Sequence, residues 1–308
     1  MKSRKKGIIV IAVMAAAVAL SFSAGNFRTA GTTSFSAERF LGENEIKSFK
    51  HDYVAVLHIV GTIEKAGQTY NQEWMLSTID FLKNDKKNRG ILLYIDSPGG
   101  TVYESDETYL ALVDYKNETG KPVYAYFGSL AASGGYYIAS AADQIFANRN
   151  TLTGSIGVIA GKSIDATELM EKIGIKSRTF TAGRNKNMMN YDSPLTEEQA
   201  EIMQSVADDA YEQFTSIVAT ARHMNIDDVK KIADGRIYTA NQALKNGLID
   251  EICRFEEAED AVLADLDGDF EFEDFIYEYE MTMNDIFRFV SALVKPPSAQ
   301  MKLNYIAN

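Results

Sequence analysis

The sequence predicts an α/β fold built on a parallel sheet, and three observations carry that prediction. The runs 53–63 (YVAVLHIVGTI), 91–100 (ILLYIDSPGG), 122–127 (PVYAYF) and 143–150 (DQIFANRN) have the length and β-branched, apolar content of strands buried on both faces. The segments between them carry apolar residues at helical spacing. The resulting order, β-α-β-α-β-α-β, gives each strand a crossover helix, as parallel pairing requires. Of 308 residues, 46% are hydrophobic and 24% charged, so the chain can bury a large core and is not a disordered polymer.

The chain opens MKSRKK and continues with an apolar run at 7–25, about the ~20 residues a membrane-spanning helix needs. Lys2, Arg4, Lys5 and Lys6 stay cytoplasmic by the positive-inside rule, so residues 1–25 read as a single-pass anchor in the cell membrane with the remainder outside the cytoplasm. A cleaved secretory signal is the rival reading, disfavoured by the length of the run and the weak Ser23/Ala24 cleavage site. Residues 26–50, rich in Ser, Thr, Gly and Ala, read as a linker.

From the first strand the chain enters NQEWMLSTIDFLKNDKK, where Trp74, Met75, Ile79 and Leu82 mark a buried helical face, Trp74 as core. The second strand ends in a Pro-Gly-Gly turn, and SDETYLALVDYKNETG follows as a helix closed by Gly120. The third strand leads into GSLAASGGYYIASAAD, where Ser133 sits at a strand-to-helix turn before a buried helix. Farther on, TLTGSIGVIAG is Gly-rich, DATELMEKIG reads as a helix, SRTFTAG (177–183) as another strand, and RNKNMMNYDSP as a loop containing Lys186. A long helix at 196–222 opens with a capping arrangement at Thr196 and carries an apolar stripe. A short helix, a strand at RIY and a further helix close the globular domain, 51–255. The extension 256–308 is acidic and aromatic: between 251 and 280 stand thirteen Asp or Glu and one Arg, interleaved with Phe270, Phe272, Phe275, Tyr277 and Tyr279. It reads either as a solvated tail or as an edge strand that docks on the chain or on a partner.

Composition also excludes. A formal net charge of −12 carries no nucleic-acid footprint. The lone Cys253 forms no internal disulfide, and His51, His58 and His223 show no metal-ligand spacing.

Two glycine turns, 97–100 and 133–135, fall at the carboxyl ends of two strands, the edge where open α/β sheets bind ligands. Gly99 and Gly100 let the backbone approach a substrate and aim amides at a carbonyl oxygen. On these stretches alone, Ser133 reads equally as a capping serine, the PGG as an ordinary tight turn and Lys186 as a solvated loop residue. A nucleophilic serine needs a base, and with no His–Asp pair near the motif a lysine is the candidate. Its ordinary pKa of ~10.4 must fall to roughly 7–8, a shift of about 3 units or ~4 kcal/mol.

YIDSPGG, GSLAASGGYYIASAAD, LTGSIGV, AGRNKN and ADGRIYTANQALKNGLID, in this order, resemble the bacterial signal peptide peptidases of the SppA type in their short, single-domain form, peptidase family S49. The resemblance covers residues 50–255 and extends more distantly to the Clp protease/crotonase superfamily. It implies a Clp protease/crotonase-like fold and a serine endopeptidase acting on remnant signal peptides. It also implies Ser133 as nucleophile, Lys186 as general base, Ser155 orienting that lysine, and Gly100 and Gly134 amides as oxyanion donors beside Gly99. A homo-oligomeric ring of eight copies belongs to the same implication, as does a reaction that requires no metal or organic cofactor. A non-hydrolytic membrane-anchored peptide scaffold and a crotonase-like acyl-CoA enzyme are the alternatives.

Overall fold

Three parallel strands form the centre of the sheet in the computed structural model, which describes residues 49–279: β1 (Tyr53–Val60), β2 (Asn88–Ser97) and β3 (Val123–Ala132). Side chains alternate along them with the two-residue period of a strand. Tyr53, Ala55, Leu57 and Ile59 of β1, with Ile91, Leu93 and Ile95 of β2, enter the larger core cluster. Val54, Leu92, Tyr124 and Tyr126 enter a smaller cluster on the opposite face. Burial on both faces explains why these strands are nearly continuous apolar runs.

β3 changes neighbours along its length. Tyr124–Phe127 pairs with β4 (Gln144–Ala147), whereas Leu130–Ala132 pairs with β5 (Leu152–Gly154). β5 is joined by β6 (Ile237–Thr239), β4 by β7 (Glu251–Ile252), and β1 by β8 (Glu271–Phe275) on its far side. Among the described residues every strand pair is parallel except β5 with β6, so the sheet is mixed rather than wholly parallel.

Eight helices are present among the described residues: α1 (Gln72–Asn84), α2 (Val102–Thr119), α3 (Gly134–Ala139), α4 (Thr167–Lys172), α5 (Glu197–Ala221), α6 (Ile226–Ile232), α7 (Ala240–Lys245) and α8 (Phe255–Asp265). Met75, Ile79 and Leu82 of α1, Leu112 and Tyr115 of α2, and Phe214 and Val218 of α5 fill the larger core. Trp74 packs at its margin, 5.7 Å from the Tyr277 ring. Capping follows the sequence: Asn71 Oδ1 accepts from Trp74 N at 3.0 Å, Gly120 closes α2 at φ 68°, and Thr196 and Gln199 form a reciprocal capping box at 3.3 Å in each direction.

The acidic-aromatic stretch docks on the chain itself. α8 places Ala258 and Val262 against the second core face, and β8 extends the sheet in parallel register, Tyr53 opposite Glu271. The strand expected at 177–183 does not form, and residues 171–184 are all exposed. SRTFTAG has strand-like side chains, but a strand requires a partner edge, and among the described residues none pairs with this segment. The apolar run at 7–25 lies outside the described residues, among which no helix is long and apolar enough to cross a membrane.

Arg222 ties the end of α5 to the segment before β7. Its guanidinium meets Asp250 at 2.9 and 2.6 Å and the Gly247 carbonyl at 2.7 Å, while Asp250 also accepts from Ile145 N at 2.7 Å. The Arg222 side chain is 9% exposed and that of Asp250 33%. Arg222→Ala leaves a part-buried carboxylate without its cation, and should lower the unfolding free energy by about 2 kcal/mol, below the cost for a fully buried pair because solvent reaches Asp250. A urea midpoint unchanged from the parent chain would show the bridge to be idle.

Candidate active site

Ser133 is the last residue before α3, at φ 52° and ψ −120°. Its N–H donates to Gly154 O at 2.9 Å, completing the β3–β5 pairing, and its carbonyl accepts the first helical bond from Tyr137 N at 2.9 Å. The backbone is thus held from both sides in a conformation that costs a non-glycine residue about 1–3 kcal/mol. The side chain makes no capping hydrogen bond, which removes the N-cap reading. A serine on a sharp strand-to-helix turn with an uncommitted hydroxyl is the geometry of an exposed nucleophile.

The second glycine turn lies against the first. A Cβ on Gly99, which sits at φ 94°, would come within 2.6 Å of Gly134 N and 2.7 Å of Ser133 Cβ. One on Gly100 would meet the Ile63 carbonyl oxygen at 1.8 Å. Both positions therefore exclude any side chain. Ile63 N–H donates to Gly99 O and Thr101 N–H to Ile63 O, each at 3.0 Å, fixing the turn against the end of β1. The Gly100 and Gly134 amides take no part in these turn bonds and are free to meet developing negative charge beside Ser133.

Ser155 stands at φ 51° just past β5, its N–H donating to Arg236 O at 2.8 Å. Ser133, Ser155 and Gly100 line one cleft of about 620 Å³, walled by Gln204, Ala207, Asp208 and Tyr211 of α5 and by Asp234 and Gly235. Arg236 holds the Asp234 carboxyl below its ordinary range through hydrogen bonds at 2.7 and 2.8 Å. A larger groove, about 1210 Å³, runs from Gly100 past the exposed side chains of Val102 and Tyr103 to Ile159. A small pocket of about 30 Å³ beside Ser133 is bounded by Tyr137, Phe214 and Val158.

Lys186 is not among the residues lining this cleft. It is exposed in a run of turns at 184–189, its N–H bonded to Gly183 O at 3.2 Å, and Asn185 Nδ2 donates to Glu198 Oε1 at 3.1 Å nearby. The structure thus brings together five of the six expected residues, Ser133, Ser155, Gly99, Gly100 and Gly134, while Lys186 is outside the lining of their cleft.

The α5 wall was not anticipated, although positions 204, 207, 208 and 211 recur at i, i+3, i+4 and i+7, which marks one helix face. Nor did sequence spacing foretell that His51 Nε2 lies 3.2 Å from Glu271 and 3.1 Å from Glu273, since only the return of β8 to β1 brings them together.

Residues 115–267 match the family model described as Peptidase family S49. The chain is 37% identical over 236 residues to an Enterococcus faecium protein named as a signal peptide peptidase SppA, covering 72% of this chain and 68% of the relative. It is 43% identical over 188 residues to a Synechocystis protein named as a protease, covering 60% and 66% respectively. Protease 4 of Haemophilus influenzae is 32% identical over 208 residues, which span 67% of this chain and 33% of that one. Among solved structures, a ClpP1 mutant from Listeria monocytogenes is similar at 20% identity and a TM-score of 0.44 over 66% of this chain and 92% of that one, too slight a likeness to bear on the fold.

Proposed function

Because this chain belongs to peptidase family S49 and is a serine protease, we propose that it hydrolyses peptide bonds with a Ser133–Lys186 dyad, taking remnant signal peptides as substrates. The observation that carries the reading is the strained, uncapped Ser133 beside two uncommitted amides in an open cleft. Ser133 Oγ attacks the scissile carbonyl as neutral Lys186 takes its proton. Gly100 and Gly134 N–H receive the oxyanion, the ammonium protonates the leaving amine, and water releases the acyl group with Lys186 again as base. Ser155, in the same cleft, orients the incoming amine.

The lysine in this reading comes from a neighbouring copy. Residues 158–191 expose seven large apolar side chains, Ile159, Ile164, Leu169, Ile173, Ile175, Phe180 and Tyr191, and α4 buries none of its residues. Packing this segment on a second copy covers that surface and shields the lysine beside it from water. A closed ring, of eight copies by family resemblance, gives each cleft one such neighbour. The forked sheet fits a Clp protease/crotonase-like fold, and the run at 7–25 anchors the assembly so that the clefts face away from the cytoplasm.

Incubating the full chain in detergent with a cleaved signal peptide and sequencing the fragments by mass spectrometry tests the reading. New internal termini are expected; an intact peptide after prolonged incubation with the assembled protein overturns it.

A further inference from the structure

Tyr137 and Asp106 form a brace between the two turns of the site. α2 begins two residues after Gly100 and carries Asp106, whereas α3 begins at Gly134 and carries Tyr137. The Tyr137 hydroxyl donates to Asp106 Oδ1 at 2.6 Å and accepts from Gln213 Nε2 of α5 at 2.7 Å, and Gln213 also reaches Asp106 Oδ1 at 3.0 Å. Tyr137 is 4% exposed, its ring packed 4.9 Å from Phe214 and 5.6 Å from Tyr109, so the hydroxyl has little freedom to leave its partners. On the other side of α3, Tyr136 OH donates to Leu248 O at 2.7 Å, so the six-residue helix is pinned at two adjacent positions facing different elements.

A helix of six residues has too few internal hydrogen bonds to fix its own orientation. Its first residue nevertheless supplies one of the two amides that must converge on a single oxygen atom, the other lying two residues before α2. Amide donors stabilise an oxyanion only when preorganised to about a hydrogen-bond length of where that charge develops. We propose that Tyr137 is a positioning residue for the peptidase reaction: its bond to Asp106 sets the separation of the Gly100 and Gly134 amides. The proposal rests on the serine-peptidase reading of the site. In that reading the brace acts on the tetrahedral intermediate and leaves the bound ground-state peptide untouched.

Tyr137→Phe removes one oxygen atom and keeps the ring. It should lower kcat about tenfold with KM within twofold, a fraction of the loss expected from deleting a donor outright. It should weaken a peptide aldehyde, which forms an oxyanion on Ser133, by a similar factor while leaving a non-reactive product peptide unaffected. Asp106→Asn keeps an acceptor for the hydroxyl and should recover most of the activity lost in Asp106→Ala, with thermal unfolding confirming that each variant is folded. A folded Tyr137→Phe with parental kcat and aldehyde affinity overturns the brace. So does a loss shared equally by KM and the product peptide, or an Asp106→Asn no better than Asp106→Ala. Failure of the underlying reading is distinct, because Ser133→Ala would then hydrolyse peptide as fast as the parent.

Discussion

Replacing Ser133 by glycine should abolish peptide hydrolysis and make the folded chain more stable. The hydroxyl is the nucleophile of the acylation step in the proposed reaction, and its loss in serine peptidases costs about a millionfold in kcat, leaving background. The backbone at φ 52°, ψ −120° is strained for serine and accessible to glycine. Relief of about 1–3 kcal/mol is partly offset by about 1 kcal/mol for the larger entropy of glycine in the unfolded chain, so a net gain of about 1 kcal/mol is expected. Ser133→Ala separates the two effects: it should be equally inactive without the gain, since alanine keeps a Cβ. Fluorophosphonate labelling reports the hydroxyl and chemical denaturation reports the strain. Activity above about one per cent in Ser133→Ala would remove Ser133 from the mechanism, given the size of the loss a nucleophile deletion entails. A Ser133→Gly chain no more stable than Ser133→Ala would show the turn to be unstrained.

Two inactive chains should restore activity when assembled together. Lys186 lies outside the cleft that holds Ser133, so in the proposed assembly each site combines the serine of one copy with the lysine of the next. Ser133→Ala and Lys186→Ala should each be inactive alone. Unfolded, mixed in equal amounts and refolded together, they place an intact serine beside an intact lysine at about a quarter of the sites, so about a quarter of parental activity should return. A dyad completed within one chain gives no recovery, because every copy then lacks one member. A mixture as inactive as its parents, with co-assembly shown by differently tagged chains, excludes the shared site.

Most of the scaffold was legible in the sequence because its signals are local. The apolar runs of β1 to β3, the Thr196 cap and the Gly120 stop each arise from interactions within a few residues. β8 was legible only as an alternative, since whether an acidic strand finds an edge depends on a β1 neighbour more than two hundred residues away. The false strand at 177–183 fails for the converse reason: its residues favour a pleated surface, and among the described residues no second edge meets them. In the site, the residues themselves pointed to Ser133 and the 97–100 turn, whereas Ser155, Lys186 and the Gly134 donor came only with the family resemblance. The unusual backbone of Ser133 and the α5 wall required the chain to be folded.

The close approach of the two glycine turns has a consequence for how substrates are chosen. With Gly99 and Gly100 packed against Ser133 and Gly134, and with Tyr137 bonded to Asp106 behind them, the proposed reacting centre does not reshape itself to suit one peptide over another. In the proposed reaction, discrimination between peptides falls to the wider groove beyond Gly100, where the Tyr103 side chain is 66% exposed.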